Sequence, residues 1–240
     1  MLKQLNKKPR TTAQILEISD KLPFQYLEAY RSLRTNIQFA SVDTVYRKIV
    51  VTSAVSGEGK STVSVNLAIT LGKMGCKVLL IDCDMREPML DQYFGIENMS
   101  RGLSTILKNI VNADVCISYI EQAGIYLLPS GPIYPNPTEM IGSQRMADLV
   151  SLLSADYDYL IFDTPPASIV TDAAVLAKLA DGVVFIVRQN YTVLEVAKEA
   201  IDSLRAVGAN IIGSVLNDYN PKRSSKNFKY KGNYDYRAYP

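Results

Sequence analysis

The sequence predicts an α/β fold: a mainly parallel β-sheet flanked by helices on both faces. Three observations carry that expectation. Short apolar, β-branched runs recur along the chain, they lack the alternation of a half-exposed strand, and helical stretches separate them. The runs are Ile49 to Thr52, Val78 to Ile81, Ile125 to Leu128, Leu160 to Phe162, Val183 to Val187 and Ile211 to Leu216. A strand covered on both faces reads as an unbroken apolar run because neither set of alternate side chains meets water. Helical segments fall at about 60–74, 143–154, 171–180 and 192–206, each following a strand within a few residues as crossover units require. A further helix is expected near Leu103 to Lys108, while the rest of 96–122 shows no clear period. Ahead of the first strand, Leu27, Tyr30, Leu33 and Ile37 recur at helical spacing and mark the apolar stripe of a helix over about 24–40. After the last strand the composition changes, with six Lys or Arg, one Asp and almost no aliphatic residue over 219–240. Such a segment buries too little apolar area to offset its ordering entropy, so one domain over 1–218 and a flexible tail over 219–240 are expected.

Composition narrows the function before any motif is read. The 240 residues, 48% hydrophobic and 21% charged, suit one large globular domain. Lys and Arg total 26 against 24 Asp and Glu, and a net charge of +2 argues against a surface that grips nucleic acid along its whole extent. There is no His, which excludes Ser-His-Asp triads, Cys-His dyads and His-ligated zinc, and leaves proton transfer to Asp, Glu, Lys, Tyr or Cys. Cys76, Cys83 and Cys116 are never spaced as C-x-x-C and fit a reduced cytosolic chain. Residues 1–12 are polar and basic, and no run of 18 apolar residues occurs, so a cytoplasmic chain is expected that meets a membrane only through a partner.

Directly after the first strand stands Ala54-Val55-Ser56-Gly57-Glu58-Gly59-Lys60-Ser61, followed by the helix from Thr62. In a strand, glycine loop, helix context the N–H groups of Ser56, Gly57, Glu58, Gly59, Lys60, Ser61 and Thr62 converge on phosphate oxygens. Lys60 then reaches the β and γ phosphates of a nucleotide, and the Ser61 hydroxyl ligates Mg²⁺. Ala54 occupies the place of the usual first glycine and restricts the backbone there. Two acidic strand ends accompany the loop: Asp82 and Asp84 follow Val78 to Ile81, and Asp163 follows Leu160 to Phe162. Ligands of parallel α/β sheets bind at the carboxyl ends of strands, so all three carboxylates should face the loop. Asp82 and Asp84, two apart on extended backbone, point the same way. Close carboxylates repel unless a cation lies among them, and phosphate-bound Mg²⁺ is the natural one.

These residues resemble the bacterial tyrosine kinases of capsule and exopolysaccharide synthesis, in the form of a cytoplasmic subunit whose transmembrane activator is a separate polypeptide. The glycine loop with Lys60 and Ser61 resembles that family's Walker A motif, Ile81 to Arg86 its additional Walker A′ motif, and Phe162 to Pro166 its Walker B motif. The A′ motif is the discriminating one. The resemblance implies a P-loop NTPase-like fold, ATP and Mg²⁺ as cofactors, and protein-tyrosine autokinase activity that regulates polysaccharide synthesis. It also implies that Glu28, Arg31 and Arg34, an E-x-x-R-x-x-R motif, mediate ring-like homo-oligomers, and that the tail cluster Tyr230, Tyr234, Tyr236 and Tyr239 is autophosphorylated. The implied partners are a transmembrane activator of the polysaccharide co-polymerase type and protein tyrosine substrates; nucleic acid is not expected.

Several roles stay open at the level of residues. Glu28, Arg31 and Arg34 step by three, a polar stripe that meets a neighbouring subunit or pairs within its own helix. The tail of 22 residues extends to at most about 75 Å and spans roughly 25 Å as a coil, which brings a neighbouring subunit within reach. Transfer in trans is therefore expected. Ser61, Asp82, Asp84 and Asp163 are the candidate metal-organising residues. A phenol has a pKa near 10, so a proton acceptor assists its attack, and either Asp82 or Asp84 is placed for it, with the resemblance favouring Asp82. Arg86 either stabilises charge on the transferring group or pairs with these carboxylates. Asn217 either reads adenine, as in related P-loop ATPases, or caps a loop. Two rival functions remain: a ParA/MinD-like positioning ATPase, whose loop carries a lysine where this chain has Val55, and a nonenzymatic ATP-binding scaffold.

Overall fold

The computed structural model describes residues 24–40, 45–96 and 100–220. In chain order the elements are α1 (Phe24–Phe39), β1 (Lys48–Ser53), α2 (Lys60–Gly72), β2 (Val78–Asp82), α3 (Leu90–Phe94), α4 (Leu103–Leu107), β3 (Ser118–Ile120), β4 (Ile125–Leu128), α5 (Pro137–Ile141), α6 (Gln144–Asp156), β5 (Tyr159–Asp163), α7 (Asp172–Ala177), β6 (Gly182–Arg188), α8 (Leu194–Ala206) and β7 (Ile211–Asn217). The seven strands form one sheet in the order β3-β4-β2-β5-β1-β6-β7. All neighbours pair in parallel except β3 with β4.

Strand pleating divides the core into two. Ile49, Val51, Leu80 and Ile161 face α2, where they meet Val63, Leu67 and Leu71, whereas Val50, Leu79, Phe162 and Phe185 face α6, α7 and α8 through Met146, Leu176 and Leu204. Both sets are buried, which is the physical reason these runs carry no polar alternation. Helix α2 is wrapped by protein along its length, and its buried hydroxyls return to their own helix: Ser64 donates to the Lys60 carbonyl (3.0 Å) and Thr70 to that of Asn66 (2.7 Å). Helix α1 packs on α2 through Tyr30, Leu33 and Ile37, three of the four residues of the expected stripe, while Leu27 is half-buried and outside that cluster.

The strand order does the positioning. β5 lies between β1 and β2, so Asp163 stands in register with Val51 on one side and with Asp82 on the other. The region 96–122 holds α4, at the place where a helix was expected, and after it the three-residue antiparallel edge β3, which is too short and polar to declare itself. Among the described residues no helix is long and apolar enough to cross a membrane. Most of the expected tail, from residue 221 on, lies outside the described residues, and so do Tyr230, Tyr234, Tyr236 and Tyr239.

Candidate active site

The glycine loop links β1 to α2. Gly57 (φ +82°) and Gly59 (φ +91°) both adopt left-handed backbone, the conformation glycine takes without strain. Ala54 does not share it, so the alanine in place of glycine leaves the loop unstrained, contrary to the restriction expected from the sequence. The N–H groups of Gly57, Glu58, Gly59 and Lys60 donate to no backbone carbonyl among the described residues. Ser56 and Gly57 are exposed, so these donors line an open cradle at the start of a 13-residue helix, a setting that suits phosphate. Lys60, the first residue of α2, is only 8% exposed.

Three carboxyls stand at the ends of β2 and β5, and two of them, Asp84 and Asp163, lie within electrostatic reach of Lys60. Asp163 accepts hydrogen bonds from Ser61 and from the Ser64 hydroxyl (2.9 Å). Burial pushes its carboxyl up to about 6, opposed by Ser61, Lys60 and Ser64. Asp82 accepts the backbone N–H groups of Asp84 and Leu90, each at 3.1 Å, yet burial and then Asp163 raise it well above the usual carboxylate range. Asp84 accepts from the N–H of Glu87 (3.0 Å) and Arg86 (3.3 Å); burial raises its carboxyl, and the Glu87 N–H and Lys60 oppose the rise. Lys60 thus acts electrostatically on both Asp84 and Asp163, and the sequence-based grouping of these residues is what the fold assembles. Carboxyls raised by burial and by one another are what a divalent cation relieves. Among the described residues no group of three or more His, Cys, Asp or Glu side chains is placed to hold a metal ion by itself.

One expected pairing is corrected, and one residue with two open roles takes up a specific contact. Arg86 does not pair with Asp82, Asp84 or Asp163. Its Nε donates to Asp172 (3.1 Å) and its Nη2 to Thr138 (3.0 Å), while Thr138 also bonds Asp172, a fully buried carboxylate at the start of α7. The partner lies 86 residues away in sequence, beyond any local pattern. Because Arg86 is 39% exposed, Asp172→Asn is expected to cost only about 1–2 kcal/mol, a fall of roughly 2–8 °C in thermal midpoint. An unchanged midpoint would show the pair to be without weight. Asn217 Nδ2 donates to the Glu58 carbonyl (2.9 Å), the loop-capping contact that was one of its two expected roles. Of the proposed interface residues, Arg31 pairs with Glu28 on its own helix (2.5 Å), and Arg34 Nη1 reaches the Thr70 carbonyl near the end of α2 (3.4 Å).

Sequence reading missed the residues behind the loop. Tyr191 Oη donates to the Ser56 carbonyl (3.0 Å), Arg188 Nη1 to that of Gly57 (3.0 Å), and the Thr192 hydroxyl to the buried Glu58 carboxylate, whose Oε2 accepts the Val55 N–H (2.7 Å). Their one available signal was position, just past the carboxyl end of a buried strand. A cavity of about 400 Å³ lies elsewhere, between the loop 167–171, α7 and α8, and contains none of these residues.

A glycine loop opening a helix at a central parallel strand, beside acidic strand ends, makes this a P-loop NTPase. The matching protein-family model, "ParA: NUBPL iron-transfer P-loop NTPase", covers residues 44–229. The chain is 39% identical over 203 residues to the tyrosine-protein kinase YwqD of Bacillus subtilis (strain 168), spanning 85% of this chain and 84% of that protein. It is 31% identical over 193 residues to the tyrosine-protein kinase CpsD of Streptococcus agalactiae, spanning 80% and 83%. Among solved structures, the chimerical protein CapA2B2 superposes with a TM-score of 0.79 at 36% identity, covering 86% of this chain and 90% of that one. The kinase domain of the Escherichia coli tyrosine kinase ETK gives 0.79 at 31%, covering 85% and 79%. The septum site-determining protein MinD of Pyrococcus horikoshii, complexed with Mg-ADP, shares the fold at 24% identity and a TM-score of 0.62, covering 72% and 71%. Within the P-loop NTPases, the chain belongs to the bacterial protein-tyrosine kinases.

Proposed function

We propose that the protein is an ATP- and Mg²⁺-dependent tyrosine autokinase whose acceptors are Tyr230, Tyr234, Tyr236 and Tyr239, acting in trans within a ring-like homo-oligomer that controls capsular or exopolysaccharide synthesis. The observation that carries this reading is the near-buried Lys60, coupled electrostatically to Asp84 and Asp163 beside a loop whose N–H groups donate to no backbone carbonyl among the described residues. Bound Mg-ATP supplies the phosphoryl group and a metal that neutralises phosphate charge. Ser61, Asp84 and Asp163 would hold the metal, and the N–H groups from Gly57 onward the phosphates. Lys60 offsets negative charge as it builds on the transferring group. Asp82 takes the phenolic proton, the role for which the family resemblance favours it over Asp84. The Asn220 N–H donates to the side-chain oxygen of Gln189, just past β6 (2.5 Å), which anchors the base of the tail there. From there 20 further residues reach at most about 70 Å, enough for a neighbour's site. A transmembrane activator of the co-polymerase type completes the reading, as the family resemblance implies.

The test is phosphoryl transfer from γ-labelled ATP with Mg²⁺, with and without an activator's cytoplasmic segment, on the wild type and on a chain ending at Tyr219. Label on the tail tyrosines of the wild type, absent from the shortened chain, is expected. Label elsewhere, or hydrolysis without label in the presence of the activator, would overturn the reading. Four phosphates would shift the tail from about +5 to roughly −1 to −3, and an acidic site then repels it. Sedimentation with Mg-ATP should accordingly find a smaller assembly for the phosphorylated form, and equal mass for both forms would refute tail-held rings.

A further inference from the structure

We infer that Arg188, Tyr191 and Asn217 form a clamp that sets the phosphate loop in its binding conformation before nucleotide arrives, with Tyr191 and Arg188 as positioning residues. The inference deepens the proposed function and rests on its nucleotide site. Three successive loop carbonyls each receive a side-chain donor from the ends of β6 and β7: Ser56 from Tyr191, Gly57 from Arg188 and Glu58 from Asn217. Across a trans peptide the carbonyl of one residue and the N–H of the next point in opposite directions, and no peptide bond of the described residues is cis. Holding those three carbonyls toward β6 and β7 therefore turns the N–H groups of Gly57, Glu58 and Gly59 the other way.

The contact is close enough to explain both glycines twice over. A Cβ at Gly59 would stand 2.1 Å from Asn217 Nδ2, and one at Gly57 would stand 3.0 Å from Tyr191 Oη, besides the left-handed φ at each. The clamp is itself braced. Arg188 and Asn217 are register partners across β6 and β7, Arg188 is paired with Asp218 (3.1 Å), and its guanidinium lies 5.0 Å from the centre of the Tyr191 ring. The Arg188 N–H donates to the Thr192 hydroxyl (2.8 Å), which in turn bonds Glu58 inside the loop. Arg188 thus works on the loop's carbonyl side, through the backbone, and not by presenting its charge to phosphate.

Tyr191→Phe removes one donor and keeps the ring, so it separates positioning from folding; Arg188→Met serves as the second variant. The measurements are ADP and adenosine affinities by calorimetry, ¹⁵N relaxation of residues 57–59 in the nucleotide-free protein, and the thermal midpoint. Losing one neutral hydrogen bond should weaken ADP binding roughly threefold to tenfold while leaving adenosine binding unchanged. Amide order parameters at 57–59 should fall from about 0.85 toward about 0.6 in both variants. Unchanged ADP affinity, an equal loss for adenosine, or undisturbed loop amides would overturn the clamp. A wild type that fails to bind ADP would count against the proposed function instead, and the relaxation measurement, which needs no nucleotide, would still decide the clamp.

Discussion

Asp163→Asn is expected to stabilise the nucleotide-free protein at pH 7 while abolishing Mg²⁺-dependent phosphoryl transfer. The carboxyl is 1% exposed and held up to about 6, so ionising it in the folded chain is unfavourable. A folded pKa above the unfolded one contributes stability that is complete below about pH 4 and lost as pH rises through about 6. The gap corresponds to roughly 3 kcal/mol of that pH-dependent contribution. A neutral amide of the same shape escapes the loss and keeps an acceptor for the Ser64 hydroxyl. The midpoint of the variant at pH 7 should exceed that of the wild type by several degrees, with the difference vanishing near pH 4. Mg-nucleotide should stabilise the wild type far more than the variant. A variant less stable at pH 7, or one that keeps its Mg²⁺-dependent turnover, would show that Asp163 is neither under electrostatic tension nor part of a metal site. This is the trade of stability for function expected where buried like charges await a cation.

Lys60→Met should lower phosphoryl transfer by about 10²- to 10³-fold, since removal of one preorganised charge from a catalytic centre costs that much. Methionine fills similar volume along the buried stem, so the helix start should survive. Lys60 opposes the upward push on Asp84 and Asp163, and without it both carboxyls rise further. The pH-dependent loss of stability described for Asp163 should therefore extend to higher pH in the methionine variant. Rapid-quench transfer assays and thermal scans from pH 4 to pH 8 check both halves. Near-normal transfer would move the charge-stabilising role to another residue.

Much of this centre was legible because its determinants are local. Gly57, Gly59 and Lys60 sit in a contiguous loop after an apolar strand, and Asp82, Asp84 and Asp163 each end or follow one, so a parallel sheet had to bring them to a common edge. What the sequence hid is long-range and chemically unmarked. The Arg86 guanidinium had three nearby carboxylates to choose from in the chain, and the fold offers it Asp172 because α7 begins beside the A′ loop. Tyr191 and Ser56 are 135 residues apart, and nothing in either neighbourhood announces a contact. The edge β3 escaped for another reason: three residues with two exposed faces leave no hydrophobic period to read.

The seating of β5 between β1 and β2 also governs how the molecule is made. β1 and β2, neighbours along the polypeptide, share no hydrogen-bonded ladder; each waits for residues 159–163. A nascent chain whose synthesis has not passed that point leaves both edges of β1 and one edge of β2 open and cannot gather its acidic cluster, which makes the fifth strand the latch of biosynthetic folding.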